Sequence, residues 1–394
     1  MFDSLTMGMF VPLSFVYLVA RSGTSISTVG TLLTIAGIAT VPAPLIVGRL
    51  VDRHGPQRPV VAAQIIQAAG FVVYLYATTW QLILAAAIVV TLGQRIYWAS
   101  AFTLIGTISG DDPHHRASEW LLGALSSMRA TGYGLGSLVA GVAVASRSST
   151  ASELVVVGSV VLMTTSAALM AVGGPRPRSP APTSRPTGDY RTLIADRPFL
   201  AFIGLNTVFA LCNVMLGIAL APFVEQSRPV VLWLVGPLLA LNTLLQATCQ
   251  MWVVRLLRRL RRHLALCLAA TLWAMWATLF AVATVVPHPY EVFCLGAATL
   301  CYSAAQLVHS PSSNALAFDA APVELRGRYL AVFQYSFVVA TAVAPALASW
   351  LLTWAPIALW IATGSLAAAA VPASLALARH LPPAAVTGHA PERS

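Results

Sequence analysis

The chain has 394 residues, 58% of them hydrophobic and only 9% charged, with a mean hydropathy of +0.78 and a formal net charge of +10. A soluble domain carries roughly a quarter charged residues, so water is excluded as the solvent for most of this surface, and the class is membrane protein. The positive balance comes from Arg alone, since the sequence holds no Lys; those residues fall mostly between apolar runs, where topology rather than nucleic-acid binding accounts for them.

In chain order, apolar segments occupy 2–20, 26–47, 59–77, 81–108, 119–145, 153–173, 199–221, 230–253, 263–286, 290–317, 329–352 and 356–378. Backbone groups inside a bilayer must bond within the protein, which leaves helix bundles or closed barrels. These runs are continuous over about twenty residues instead of alternating over about ten, so helices are predicted throughout. The expected fold class is an all-α membrane protein with twelve transmembrane helices. No basic region precedes the first run and no small-residue cleavage site follows it, so it reads as a first helix rather than a signal peptide.

Arg counts in alternate loops set the orientation. One set (48–58, 109–118, 174–198, 254–262, 318–328 and the tail from 379) holds 18; the other holds only Arg21, Arg147 and Arg228. Positive residues stay inside, so both termini and the central loop are predicted to be cytoplasmic, in the inner (plasma) membrane of a bacterium. Trp80, Trp120, Trp233, Trp252, Trp354 and Trp360 sit near segment ends, as an interfacial belt requires. The five Cys lie in apolar segments at no metal spacing and read as small hydrophobes. No metal or cofactor site is expected.

Residues 173–198 form the only long polar stretch, with six Pro and five Arg, and such a segment reads as a flexible linker. The chain thus divides into an N-terminal six-helix half (1–173), a cytoplasmic linker (174–198), a C-terminal six-helix half (199–379) and a cytoplasmic tail (380–394).

The loop after the second segment reads Gly48-Arg49-Leu50-Val51-Asp52-Arg53-His54-Gly55-Pro56-Gln57-Arg58. Gly55 permits a tight turn between antiparallel helices, and Asp52 can cap a helix and pair with loop Arg residues. An ordinary capped turn is the bland reading. The loop also resembles the signature G-x-L-x-D-R-x-G-R-[RK] of the major facilitator superfamily, departing at Pro56 and Gln57. The resemblance implies that Gly48, Asp52, Arg53 and Gly55 form a gating loop.

A second likeness lies in the fifth segment. Gly123, Gly132, Gly136, Ser137, Ala140 and Gly141 resemble the motif G-x8-G-x3-G-P-x2-G-G of the drug:proton antiporters, with Ser137 in place of Pro and Ala140 in place of Gly. Small residues at this spacing let helices approach closely, so packing alone would also explain them. The grammar recurs 208 residues later in Ala331, Ala340, Ala344-Pro345 and Ala348-Ser349. The repeat fits two parallel six-helix halves, the pseudo-symmetric arrangement of the superfamily.

A charge at mid-bilayer costs at least ~2.5–3.5 kcal/mol on insertion scales and is a functional candidate by default. Arg95 lies about fifteen residues into its segment, and Arg129 about 15 Å from the start of the next at ~1.5 Å per residue. The family keeps an Arg in the fourth helix, associated with proton transfer. Asp3 is the acid of the first half that lies in an apolar run; it either pairs with Arg95 as a proton carrier or sits in the headgroups. Without that pairing, Arg95 and Arg129 would attract an anionic substrate group.

Polar residues mark a candidate substrate cavity. Asn242, Gln246 and Gln250 follow each other at i, i+4, i+8 on one helix face. Asn206 and Asn213 lie on the seventh segment, Tyr302, Gln306 and His309 on the tenth, and Gln64, Gln67 and Tyr74 on the third. Inter-helix hydrogen bonding is the bland alternative, averaging ~0.6 kcal/mol per contact; for His309 a helix-packing role is preferred.

No P-loop, H-E-x-x-H or His/Asp cluster points to an ATPase or membrane enzyme. The expected function is proton-coupled export of a small organic molecule, a drug or secondary metabolite, by alternating access. The alternatives are a proton-coupled uptake symporter of the same fold and a non-transporting membrane sensor. Expected partners are the substrate, protons and the bilayer, with no nucleic acid and a monomeric state.

Overall fold

The computed structural model describes residues 2–43, 55–109, 116–173, 193, 195–257, 260–287, 290–322 and 325–381, and the side chains of all of these except 102–109, 116–127, 130, 326–328 and 331. They form twelve α-helices: α1 Phe2–Ser22, α2 Ile26–Ala39, α3 Gln57–Leu75, α4 Trp80–Ser109, α5 Arg116–Ser146, α6 Ser149–Gly173, α7 Arg197–Ser227, α8 Val235–Leu257, α9 Arg262–Ala283, α10 Tyr290–Ala320, α11 Arg326–Trp354 and α12 Pro356–Leu377. A 3-10 turn, Pro229–Leu234, leads into α8. No strand occurs among the described residues. Among the described residues, ten stretches are long and apolar enough to cross a bilayer, while Ile26–Ala39 and Thr131–Ser146 are shorter apolar helices.

Helix boundaries have local causes. Ser25 caps α2, its Oγ accepting the Thr28 N–H at 3.2 Å. Gly55 adopts φ +74° just before α3, a backbone region that glycine enters without strain. Asp196 caps α7 by accepting the Phe199 N–H at 3.0 Å, and its other oxygen accepts the Tyr329 hydroxyl at 3.2 Å. That pair fastens the start of α7 to the start of α11. Pro356 opens α12 at a position where its missing N–H is no loss.

Helix pairing repeats six helices on. In the first half α3 packs on α4 and α6, and in the second α9 packs on α10 and α12. α1 packs along α5; correspondingly, Phe202 of α7 stacks on Phe333 of α11 at 5.6 Å. α2 packs on α4, and Gln246 of α8 bonds Gln306 of α10. The all-α fold of two related six-helix sets is the one expected from the sequence.

Close contacts divide the chain into two units. The first is Met1–Thr183 with Gly217–Leu244 and Pro345–Trp350; the second is Ser184–Leu216, Leu245–Ala344 and Leu351–Ser394. In the first unit Arg21 donates to Glu153 at 2.6 Å and to the Leu75 carbonyl at 2.7 Å, tying together α1, α6 and the end of α3. Within the same unit Thr34 Oγ1 accepts the Ala346 N–H at 2.9 Å, and the Trp350 indole N–H donates to Thr31 at 3.0 Å. The core of the second unit is aromatic, with Trp273, Trp276 and Phe280 of α9 against Phe209, Tyr302 and Trp360.

Large apolar side chains line the outside, as lipid requires and water forbids. Trp80, Trp233, Trp252 and Trp354 are exposed near helix ends. Trp360 is a correction to the expected belt. It is 1% exposed and packs edge-on against Trp276 at 5.3 Å, because its position one turn into α12 faces α9. Sequence position near a segment end does not say which face a residue takes.

Candidate functional site

The site begins with a close approach of two helices. A methyl group added at Gly8 of α1 would overlap the Tyr133 carbonyl of α5, and one added at Gly136 would overlap the Leu5 carbonyl of α1. Only glycine at both positions lets the backbones touch. Asp3 lies about one turn before Gly8, and Arg129 one turn before Tyr133. The contact therefore carries the acid and the base to the same level.

Asp3 is 2% exposed. Its Oδ1 accepts from Gln67 Nε2 of α3 at 3.4 Å, a long bond, and its Oδ2 has no hydrogen-bond partner among the described residues. Arg129 lies within electrostatic reach of Asp3, and both act on Tyr97 of α4. The Arg129 guanidinium lies over the Trp98 ring, 3.7 Å from its centre, a cation–π geometry. Tyr97 meets Trp98 edge-on at 5.3 Å. Arg95 is half-buried one turn before Trp98 on the same helix. Of the two arginines named from the sequence, Arg129 lies within electrostatic reach of Asp3.

Of the other motif residues, Gly48, Asp52 and Arg53 lie outside the described residues, and Gly55 is the turn into α3 described above. Gly123 falls on α5 in the stretch whose side chains are not described. Gly132, Gly136, Ser137 and Gly141 are buried. The Ser137 hydroxyl donates back to the Tyr133 carbonyl at 2.9 Å, so α5 continues smoothly where a Pro would have removed a backbone donor. A Cβ on Gly141 would meet the Gly236 backbone at the start of α8, and one on Gly134 the Thr243 side chain.

In the second unit the polar stripe closes into a network. Gln246 Nε2 donates to Gln306 Oε1 at 2.9 Å and to the Ser303 carbonyl at 3.3 Å. Gln306 Nε2 donates in turn to Asn213 Oδ1 at 3.1 Å and reaches the Tyr302 oxygen at 3.5 Å, and the Tyr302 hydroxyl bonds the Asn213 carbonyl. Asn206 lies two turns before Asn213 and is bonded to Ser336 and His309 instead. Asn242 is half-buried one turn before Gln246 on α8. Such a chain of neutral donors and acceptors can orient a polar solute without binding a fixed charge.

Sequence reasoning did not single out Gly8, Trp98 or Ser336. Gly8 leaves the clearest trace, as the one residue without a side chain in an apolar run of bulkier neighbours. Trp98 and Ser336 have no signal beyond lying on the same helices as Arg95 and the alanine repeat.

A sequence profile of the Major Facilitator Superfamily matches residues 1–234. Among solved structures, nucleoside transporter NupG aligns with a TM-score of 0.75 at 12% identity, covering 96% of this chain and 96% of that one. A point mutant of NupG aligns with a TM-score of 0.76 at 12% identity, covering 95% and 97%. No curated protein sequence matches significantly. At that identity the structural likeness speaks for the fold.

Proposed function

From the premise that the chain belongs to the Major Facilitator Superfamily, and is therefore a multi-pass membrane transporter rather than an enzyme, we propose that it exports a small organic molecule by proton-coupled alternating access. The observation that carries the reading is Asp3. A carboxyl group sealed from water, with one oxygen unpartnered among the described residues and the other on a long bond to Gln67, is costly unless it serves a purpose. Arg129 lies within electrostatic reach of Asp3, and in general an opposite charge nearby favours the charged form of a carboxyl group while its removal favours the acid. A change of conformation that alters the proximity of Asp3 and Arg129 would then release or admit a proton in step with the transport cycle.

The glycine pattern of α5 supports export, and the 18-to-three Arg asymmetry supports a plasma-membrane topology with cytoplasmic termini. Residues 1–173 and 199–379 are the moving halves, joined by 174–198, and the transporter acts as a monomer. The substrate meets Asn213, Gln246, Tyr302 and Gln306. Uptake is the second reading, favoured by the fold shared with proteins described as nucleoside transporters. The deciding experiment measures proton-gradient-dependent movement of a compound panel that includes nucleosides, in cells stripped of their own pumps. Gradient-dependent efflux supports export, inward accumulation supports uptake, and movement indifferent to the gradient removes the proton from the mechanism.

A further inference from the structure

The second unit holds a buried polar group that the reading above leaves unused. His309 of α10 is fully buried, and its Nε2 lies 3.0 Å from Asn206 Oδ1 of α7. The direction of that bond follows from its neighbours. Ser336 of α11 donates its only hydroxyl hydrogen to the Phe333 carbonyl at 2.7 Å, so its oxygen accepts from Asn206 Nδ2, 2.5 Å away. The amide is thereby oriented with Oδ1, a pure acceptor, toward the imidazole. Nε2 must carry the hydrogen, and Nδ1 is left buried with no hydrogen-bond partner among the described residues.

An unpartnered buried acceptor costs free energy that an apolar side chain would avoid, so its presence calls for an explanation. The ring lies between Phe209 of α7 and Trp273 of α9, with centroids at 5.0 and 5.2 Å, distances at which aromatic rings stabilise a cation. The groups facing it are Asn206 and Phe209 from α7, Trp273 from α9 and Ser336 through Asn206 from α11. None of these carries a charge, and no charged group among the described residues acts on the ring. A proton added at Nδ1 would leave the Nε2–H to Asn206 bond intact. The same two helices are bridged again by Asn213 and Gln306, one turn along α10.

We propose that His309 is a second proton acceptor of the transport cycle. Its Nδ1 lone pair takes a proton from water in one state of the transport cycle, holds it against Phe209 and Trp273, and returns it to water in the other. Proton occupancy thereby acts on the neighbouring amide bridge. The inference rests on the proton-coupled reading and adds a site to it.

The test uses the full chain, labelled with 15N-histidine in lipid nanodiscs, with His309→Gln subtracted to assign the resonance. Gln can still donate to Asn206 but cannot take a proton; His309→Asn serves as a second subtraction if the first variant inserts poorly. The His309 signal should be the neutral Nε2–H form near about pH 8 and turn to the imidazolium on acidification. An acid jump across that transition should load about one proton fewer into His309→Gln than into the wild type. A resonance that stays neutral throughout, with equal proton uptake, overturns the inference and leaves coupling through Asp3 intact. Failure of the underlying reading shows separately, as wild-type transport indifferent to a proton gradient.

Discussion

The Arg129 guanidinium carbon lies 3.7 Å above the centre of the Trp98 ring, joining α5 to α4 beside the buried Asp3 carboxyl. A desolvated cation–π contact is worth ~2 kcal/mol, or roughly thirtyfold in an equilibrium. Trp98→Ala should therefore slow transport by about ten- to thirtyfold at equal membrane abundance, and Trp98→Phe should keep most of the rate. Initial rates in inverted vesicles decide it; a wild-type rate for Trp98→Ala would detach the ring from the mechanism.

The α1–α5 contact makes a prediction about stability. Filling a packed interface with one extra carbon costs ~1–3 kcal/mol, and at Gly8 and Gly136 the atoms in the way are backbone carbonyls that cannot turn aside. Gly8→Ala and Gly136→Ala should each lower the melting temperature in detergent by several degrees, and Leu at either position should prevent folding. Gly132, buried one turn before Gly136, should follow the same order. Gly204→Ala is the control, since a Cβ there meets nothing within 4 Å. Equal melting temperatures for Gly136→Ala and Gly204→Ala would show that the helices can yield.

How far these features could be read from the sequence depended on what sets them. Twelve apolar segments emerge because bilayer thickness fixes helix length, and the observed helices begin and end within a few residues of most expected bounds. Which face a residue takes is set by partners distant in sequence. Asp3 and Arg129 were visible as membrane-embedded charges, yet their proximity depends on Gly8 meeting Tyr133, a pairing with no local mark. Gln246, Gln306 and Asn213 were visible as a polar set for the opposite reason, since lipid excludes amides wherever they stand and forces them to find each other.

The amide network separates binding from scaffolding. Inter-helix hydrogen bonds in membranes average ~0.6 kcal/mol each, so Gln306→Leu, which removes the bonds to Gln246 and Asn213, should change the melting temperature by only a few degrees. Its half-saturation concentration for transport should rise at least about tenfold. A large loss of stability with unchanged apparent affinity would identify the network as helix packing.

The loop from Gly48 to Gly55 is tested through Asp52. Its likeness to the signature loop of the superfamily implies a gating role that depends on Asp52. Asp52→Asn should insert normally and transport at less than about a tenth of the wild-type rate, a loss that corresponds to ~1.4 kcal/mol or more in a two-state balance. Undiminished transport by a normally expressed variant would leave the loop as a turn and nothing else.

The proton pathway allows the sharpest separation of steps. Asp3→Asn keeps the shape of the side chain and fixes it in a neutral form. Such a protein should still exchange labelled for unlabelled substrate across the membrane, since exchange moves no net proton. Accumulation driven by a proton gradient should disappear. Arg129→Ala should weaken both, because Arg129 is a cation within reach of Asp3 and also the partner of Trp98. Arg95 distinguishes two pathways. If the proton passes from Asp3 along α4, Arg95→Ala should abolish gradient-driven transport and Arg95→Lys should restore part of it, since Lys keeps the charge and loses the planar fork. If Arg129 alone serves Asp3, Arg95→Ala should leave the gradient dependence intact. Exchange and accumulation measured side by side on the four variants tell these apart, and an Asp3→Asn protein that accumulates substrate normally would move the proton site elsewhere in the chain.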